Sequence, residues 1–212
     1  MEEVRERVFT VIQNYLKTPP VIIWGSGATV PFGLPSMNTL NQILKDNIPD
    51  FDNNCDNLEI ELGKEKYNDL MPQIRNLIWN AISTVDSQVL QNLLISDGDE
   101  FIGIKKLVEK ISDAHPKVTN IITTNYDRII ENVLSFHNIP FTDGFLGKDL
   151  SLFNENLFSS KNIVNIVKVH GSLNWFEFGG EIRYLQKSIE SSVPQIICPG
   201  KNKYQEAYKS PY

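Results

Sequence analysis

Three short segments of the chain carry residue types that can bind and act on a phosphate-bearing ligand. They read GSGAT at residues 25–29, TNYD at 124–127 and HGS at 170–172. Glycines let backbone N–H groups approach an anion without interference from a Cβ atom. Amide, carboxylate and imidazole side chains can orient a substrate and transfer protons. Together the three segments predict a nucleotide-binding site.

The glycine segment at 25–29 has the chemistry of a phosphate cradle, and the N-terminus of a following helix is expected to add partial positive charge. The segment does not complete the G-x-G-x-x-G dinucleotide pattern, because Val30 stands at the third glycine position. No Gly-Lys-Ser/Thr follows it, as a P-loop would require. A dehydrogenase-type site is therefore not expected. The alternative is that Gly25 and Gly27 simply form a tight turn.

The polar side chains of the other two segments also have ordinary structural explanations. Asn125 or Asp127 can cap the helix expected to follow them, a role that does not exclude catalysis. His170 can be a histidine whose hydrogen bonds are satisfied within the core. These alternatives remain open from the sequence.

Each segment follows a short apolar run that is rich in β-branched residues. The runs lie at residues 21–24, 118–123 and 163–169, and such runs are typical of parallel strands buried on both faces. In open parallel sheets, ligands bind beyond the carboxyl ends of the strands. The sequence therefore predicts an α/β fold with a Rossmann-like parallel sheet and a ligand site at one edge.

The spacing of apolar residues predicts the remaining elements, and the polar, Asn/Asp-rich stretch 47–63 is predicted to be a loop. Between the first two strands the chain is far longer than a simple crossover needs, so a mainly helical insertion is expected over 47–115. Gly179-Gly180 predicts a hairpin within 173–186. Helices are expected at 3–17, from Ser36 or Asn38 to 45, and at 67–85, 88–94, 101–114 and 126–137, with short strands at 139–142, 175–178, 182–185 and 195–197.

Composition and charge exclude several classes of protein. The 212 residues are 41% hydrophobic with a net charge of −6, and they lack the Lys/Arg cluster that a nucleic-acid groove needs. Direct nucleic-acid binding by this domain is not expected. The acidic N-terminus is unlike a signal peptide and the apolar runs are too short to span a bilayer, so a cytoplasmic location without a membrane partner is expected. The two cysteines lack CxxC spacing, and no metal site is predicted.

The three segments, in this order, resemble the motifs of the sirtuin superfamily. GSGAT at 25–29 followed by Gly33-Leu34-Pro35 is similar to the sirtuin cofactor loop, TTNYD at 123–127 to its Thr-Gln-Asn-x-Asp motif, and His170-Gly171 to its His-Gly motif. The chain departs from sirtuin deacylases at 173–186, where a hairpin stands in place of the four-cysteine zinc module. It also has Ser36-Met37-Asn38 in place of Asp-Phe-Arg, and Thr124 in place of Gln.

With these departures, the segments GSGAT…GLPSM, TTNYD, KVHGSLNWF and ICPGKNKY resemble the sirtuin-like domains of bacterial antiphage defence NAD⁺ hydrolases. The resemblance implies an NAD⁺ glycohydrolase that cleaves the nicotinamide–ribose bond, gives ADP-ribose and nicotinamide, and depletes NAD⁺ in abortive infection. It implies catalytic roles for Asn125, Asp127 and His170, and no metal. The NAD⁺-binding residues that it implies are Gly25, Ser26, Gly27, Ala28, Thr29, Gly33, Pro35, Thr124, Gly171 and Ser172.

Two other functions are compatible with the same motifs. One is a non-catalytic sensor of NAD⁺ or of an ADP-ribose derivative, and the other is an NAD-dependent deacylase or ADP-ribosyltransferase. The resemblance further implies a homo-oligomer and, as partners, a HerA-type ATPase or a fused or separately encoded sensor. Residues 1–212 are expected to form one sirtuin-like NAD-binding domain, incomplete at its C-terminus because 180–212 contain no later strand that ends in a Gly-x-Ser type loop.

Overall fold

A computed structural model of the chain describes residues 2–16, 21–113, 118–159, 162–200, 203 and 207–208. The α-helices are α1 (Glu2–Leu16), α2 (Met37–Asn47), α3 (Leu58–Glu61), α4 (Met71–Ile95), α5 (Ile102–Ser112) and α6 (Ile129–Phe136). The strands are β1 (Val21–Trp24), β2 (Thr119–Thr123), β3 (Phe141–Thr142), β4 (Val164–Lys168), β5 (Gly171–Phe178), β6 (Glu181–Tyr184) and β7 (Val193–Ile196). Residues 17 and 114–115, where sequence patterns predict the ends of the first helix and of the insertion, lie outside the described residues.

The main sheet has four parallel strands in the order β1-β2-β4-β3. Its register aligns Trp24 with Thr123, and Thr123 with Lys168. The three strands that precede the motif segments therefore end in one row, and the segments leave the sheet at the same edge. The predicted α/β fold with a Rossmann-like parallel sheet is confirmed.

A second, antiparallel sheet has the order β6-β5-β7. The turn between β5 and β6 is Gly179-Gly180, and both glycines have positive φ, at 64° and 83°, which is the backbone conformation that a tight hairpin requires. β5 begins at Gly171, earlier than the predicted start at 175, because Gly171 already pairs with Ile196 of β7. The first strand of this sheet therefore begins at the residue that follows His170.

The stretch 47–63 was predicted to be a loop, and this is wrong for residues 58–61, which form α3. The Asn57 side-chain oxygen accepts hydrogen bonds from the backbone N–H groups of Glu59 and Ile60 at 3.0 and 3.2 Å. Leu58 is buried in the main core. The Asn-rich stretch, whose composition predicts a loop, thus includes Asn57 as the N-cap of a short helix.

The prediction of two helices at 67–85 and 88–94 is also wrong, because α4 continues unbroken from Met71 to Ile95. The sequence pattern is interrupted by polar Asp86, which is fully buried on the inner side of α4 and paired with Arg128. Residues 65–70 form a 3₁₀ helix instead of the first turn of α4. The helix predicted at 126–137 begins later, at Ile129, so that Asn125 and Asp127 lie in the irregular segment between β2 and α6.

Two clusters of buried apolar side chains hold these elements together. The larger one joins α2, α3, α4 and part of α6, and the smaller one packs α5 and α6 against the main sheet. The smaller cluster consists of Val108, Ile121, Ile130, Leu134, Val164 and Ile166. Across the described ranges, no helix has the length and apolar character needed to cross a membrane.

Candidate functional site

A cavity of about 240 Å³ lies at the edge of the main sheet where β1, β2 and β4 end. All three motif segments contribute to its wall. The residues that the sequence predicts for the site and that line this cavity are Ser26, Thr29, Pro35, Thr124, Asn125, Asp127 and His170. The structure therefore brings together residues from distant parts of the chain.

The first segment forms a 3₁₀ turn, in which the N–H groups of Ala28 and Thr29 donate to the carbonyl oxygens of Gly25 and Ser26 at 3.0 Å. A second 3₁₀ turn follows and ends at Gly33, whose φ is 90°. The helix α2 begins only at Met37. The predicted start of this helix near Ser36 or Asn38 is confirmed, with Ser36 as the N-cap. The 3₁₀ turns separate its N-terminus from the glycine segment, which presents its own backbone at the cavity edge.

Gly25 and Gly27 are not required by the fold. Neither has a positive φ, and a Cβ atom added to either would meet no heavy atom within 4 Å. Both residues are exposed. The tight-turn alternative thus does not explain why glycine stands at these positions, whereas a ligand that approaches the backbone would explain it.

Asn125 links the second segment to the first. Its backbone N–H donates to Thr123 Oγ1 at 3.0 Å, and its side-chain Nδ2 donates to Thr29 Oγ1 at 3.1 Å. Thr29 is only 1% exposed, so this hydrogen bond is shielded from water. In the structure, the Asn125 side chain bridges two loops and makes no bond to the N-terminus of α6.

Asp127 does cap α6, because its Oδ1 accepts a hydrogen bond from the N–H of Ile129 at 3.3 Å. The carboxyl group is also nearly fully buried, and burial raises its pKa from 3.8 to about 6, against the opposing effect of the nearby Lys168 ammonium. The group can therefore change between a hydrogen-bond acceptor and a donor near neutral pH.

His170 lies in the turn between β4 and β5, and its carbonyl oxygen accepts a hydrogen bond from Ile197 at 2.9 Å. Partial burial lowers the pKa of the imidazole, and the positive charge of Lys203 lowers it further. The imidazole is consequently neutral at pH 7 and able to accept a proton.

Six of the residues predicted for the NAD⁺ site do not line the cavity. Gly171 has a φ of 82° and serves the turn into β5, and Ser172 is fully buried with its hydroxyl 3.5 Å from the Tyr126 carbonyl oxygen. The other four are Gly25, Gly27, Ala28 and Gly33, which belong to the first segment and the turn after it.

The sequence did not predict most of the remaining cavity wall. Tyr126 was within a motif, and its hydroxyl donates to the Ile197 carbonyl oxygen, which ties the second segment to the chain after β7. Glu59 of α3 and Lys203 form an ion pair with Nζ–O distances of 2.7 and 2.8 Å at the cavity. The full set is Leu34, Met37, Leu40, Glu59, Ile82, Tyr126, Ile197, Cys198, Pro199 and Lys203.

The polar groups of the cavity suit an organic ligand with hydroxyl, amide and phosphate groups. Within the described part of the chain, no group of three or more His, Cys, Asp or Glu side chains is arranged to hold a metal ion. Cys55 and Cys198 are both buried, and Cys198 lines the cavity. The amide, carboxyl and imidazole groups of the wall can form hydrogen bonds and transfer protons.

A family model described as SIR2-like domain matches residues 119–211. The match includes the second and third motif segments and supports a sirtuin-like domain, with a sirtuin-type function related to NAD⁺. The first segment lies before the matched residues, and its link to the others rests on the cavity geometry. No curated protein matches the chain.

Proposed function

We propose that the chain binds NAD⁺ at this cavity and hydrolyses its nicotinamide–ribose bond to give ADP-ribose and nicotinamide. The observation that carries the proposal is the Asn125–Thr29 hydrogen bond, which holds the glycine segment and the second segment together beside His170. In a sirtuin-type site these segments must contact each other. If each segment only formed a turn or capped a helix, no contact between them would be required.

The shape of the site fits part of a dinucleotide. A cavity of about 240 Å³ is smaller than the roughly 300–1,000 Å³ of pockets that enclose a whole ligand. Gly25 and Gly27 are exposed next to it, and the space that a Cβ atom would occupy is open, so a ligand can approach the backbone there. The nicotinamide and its ribose are assigned to the cavity, and the diphosphate to the glycine segment.

The proposed reaction breaks the bond between nicotinamide and ribose and joins the oxygen of a water molecule to the ribose carbon, with release of one proton. Positive charge develops on the ribose as nicotinamide leaves, so positioning and electrostatic stabilisation are needed more than a strong nucleophile. Asn125 is assigned to orient the ribose or the water, and Asp127 to hold the carboxamide. Neutral His170 is assigned as the base that accepts the proton.

Nicotinamide release from NAD⁺ by the purified protein tests the proposal. Asn125→Ala and His170→Ala are expected to lose most of the activity while they remain folded, as judged by circular dichroism and thermal unfolding. Asn80→Ala, at an exposed position of α4, is the matched control and is expected to retain it. Wild-type rates in both site variants would overturn the assignment of these residues.

The same assay separates the other functions that the motifs allow. Calorimetric binding of NAD⁺ without turnover, with turnover still absent after the partner or the phage trigger is added, would replace the hydrolase with a sensor. Nicotinamide release that depends on an acyl-lysine peptide would indicate a deacylase. Transfer of a label from the ADP-ribose part of NAD⁺ onto protein would indicate an ADP-ribosyltransferase. Each of these results contradicts hydrolysis as the main reaction.

A role in antiphage defence, as a homo-oligomer and with a HerA-type ATPase or a sensor as partner, is part of the same proposal. It predicts that NAD⁺ falls in phage-infected bacterial cells that express the wild-type protein and not in cells that express His170→Ala. Equal NAD⁺ levels in the two strains throughout infection would contradict the role in defence and would leave the activity in vitro as a separate result.

A further inference from the structure

Lys168, the last residue of β4, is buried beneath the cavity with 2% of its surface exposed. Its ammonium donates one hydrogen bond to Glu131 Oε1 of α6 at 2.8 Å and another to the backbone carbonyl oxygen of Asp127. Lys168 thus contacts the chain of the second motif segment directly, and it stands two residues before His170.

Stability alone does not account for this buried ion pair. Removing an ammonium and a carboxylate from water costs several kcal/mol each, and well-packed apolar residues of similar volume are often equally or more stabilising. Val164 and Ile166 of the same strand are buried and apolar, so an apolar side chain at 168 would continue the pattern of β4. A lysine here is better explained by the specific contact that its ammonium makes.

Another cation next to the second segment, Arg128, is committed to a different partner. Arg128 is held by Asp86 of α4, which accepts from its backbone N–H at 2.7 Å and from its guanidinium at 2.6 and 2.9 Å. Three buried carboxyl groups remain near Lys168, those of Asp127, Glu131 and Asp143. Asn174 and Tyr184 of the second sheet complete the cluster.

We propose that Lys168 is a positioning residue, which fixes the backbone at Asp127 and thereby the side chains of Asn125 and Asp127 at the cavity, and that Glu131 holds its ammonium in place. The charge of Lys168 opposes the effect of burial on the pKa of Asp127 and of Asp143. The part of this inference that concerns turnover rests on the proposed function; the part that concerns order in the loop does not.

Hydrogen exchange provides a test that needs no substrate. In Lys168→Met/Glu131→Met, which replaces both charges by apolar groups of similar size, amide exchange over residues 123–129 is expected to rise about tenfold or more. The control is Lys105→Met/Glu109→Met, which removes an ion pair of α5 with a 3.6 Å N–O distance away from the cavity. Exchange in the loop is expected to stay at the wild-type rate in the control.

A milder variant keeps the inference testable if the double variant does not fold. Glu131→Gln retains an oxygen acceptor for Lys168 but removes its charge, so a smaller rise in exchange, about threefold, is expected over the same residues. Unchanged exchange in the folded double variant, or in Glu131→Gln where the double variant is unfolded, would overturn the positioning role.

Turnover gives the second readout. A loop displaced by about 1 Å can lower the rate of a positioned reaction by about 100-fold, so kcat for nicotinamide release is expected to fall far more than KM changes. If the wild-type protein releases no nicotinamide, the hydrolase proposal fails and the exchange result alone decides the role of Lys168. If the wild type is active and the folded double variant has the same kcat, Lys168 does not position the catalytic loop.

Discussion

Asn125 and Thr29 lie 96 residues apart in the chain, and the amide of the first donates a 3.1 Å hydrogen bond to the hydroxyl of the second. Thr29 Oγ1 in turn lies 3.2 Å from the Ser26 carbonyl oxygen, to which it donates. The hydroxyl therefore relays a contact between the glycine turn and the end of β2. Removal of the Thr29 hydroxyl tests whether this contact affects turnover or only the stability of the fold.

Thr29→Val keeps the shape of the side chain and removes the acceptor for Asn125. We expect unfolding free energy to fall by about 1–3 kcal/mol, because a buried amide loses its partner, and kcat for nicotinamide release to fall about tenfold or more. Chemical denaturation and the release assay measure the two effects. Thr84→Val, which loses an exposed hydroxyl bond of α4 at 2.8 Å, is the control and should leave kcat unchanged. A kcat for Thr29→Val equal to that of the wild type would show that the contact serves folding alone.

Alanine substitutions at the first segment separate the needs of the fold from those of the ligand. Gly25→Ala and Gly27→Ala should change unfolding free energy by less than about 0.5 kcal/mol, because their Cβ atoms meet open space. They should weaken NAD⁺ binding about tenfold, which is about 1.4 kcal/mol. Gly33→Ala, at a φ of 90°, should instead lose about 1–2 kcal/mol of stability. If calorimetry shows that Gly25→Ala and Gly27→Ala bind NAD⁺ with wild-type affinity, the assignment of the diphosphate to this segment is wrong.

The pH dependence of stability should reveal the buried carboxyl of Asp143. Burial and the nearby Glu131 raise its pKa from 3.8 to about 6, so its contribution is fully present below pH 3.8 and is lost as the pH rises through 6. A change of this size corresponds to about 3 kcal/mol. Asp143→Asn cannot lose a proton, so its stability relative to the wild type should increase by up to about 3 kcal/mol between pH 4 and pH 7. Urea unfolding at each pH measures the difference in unfolding free energy between Asp143→Asn and the wild type. A difference that stays constant from pH 4 to pH 7 would show that Asp143 is ionised in the folded protein over this whole range.

The pH dependence of turnover should follow His170. Burial and Lys203 lower its pKa below the usual 6.5, and the base must be neutral to accept a proton. We therefore expect kcat/KM to be constant near pH 7 and to fall on the acid side with an apparent pKa below 6.5. Asp127→Asn serves as the comparison, since it removes the other cavity group that titrates near pH 6. Loss of the acid limb in this variant would assign the limb to Asp127 and not to His170.

The ion pair between Asp86 and Arg128 should be a large contributor to stability. Asp86 is fully buried and accepts three hydrogen bonds from Arg128, so Asp86→Ala leaves a guanidinium without its partner. Breaking a buried pair in this way costs about 3–5 kcal/mol. Glu109→Ala, in the more exposed pair with Lys105, should cost less than about 1 kcal/mol. Equal losses measured by thermal unfolding would contradict the difference in burial.

The parallel sheet was predictable because three of its strands are short segments rich in β-branched residues. β1, β2 and β4 each carry β-branched residues over four or five positions, and the ends of these runs coincide with polar motif segments. The Gly179-Gly180 turn was predictable for a similar reason, since only a narrow set of turns accepts two positive φ values. In both cases, short-range sequence chemistry determines the local structure.

The rest of the site depends on contacts that no local pattern contains. Ile82 and Glu59 reach the cavity from helices of the insertion, and Asp86 pairs with a residue 42 positions away. Asp86 lies between the two helices predicted at 67–85 and 88–94, whereas α4 continues through it, with its charge matched by Arg128 inside the protein. Tertiary packing decides such positions, so one sequence cannot reveal them.

The long helix α4 contacts three separate parts of the structure. Along one helix, Trp79 donates to the Leu173 carbonyl oxygen of the second sheet at 3.0 Å, Ile82 lines the cavity and Asp86 holds Arg128. Because a helix moves nearly as a rigid rod, force applied to its exposed end at Leu94 and Ile95 would reach all three contacts at once. A displacement of α4 would therefore change the second sheet, the cavity wall and the Asp86–Arg128 ion pair together.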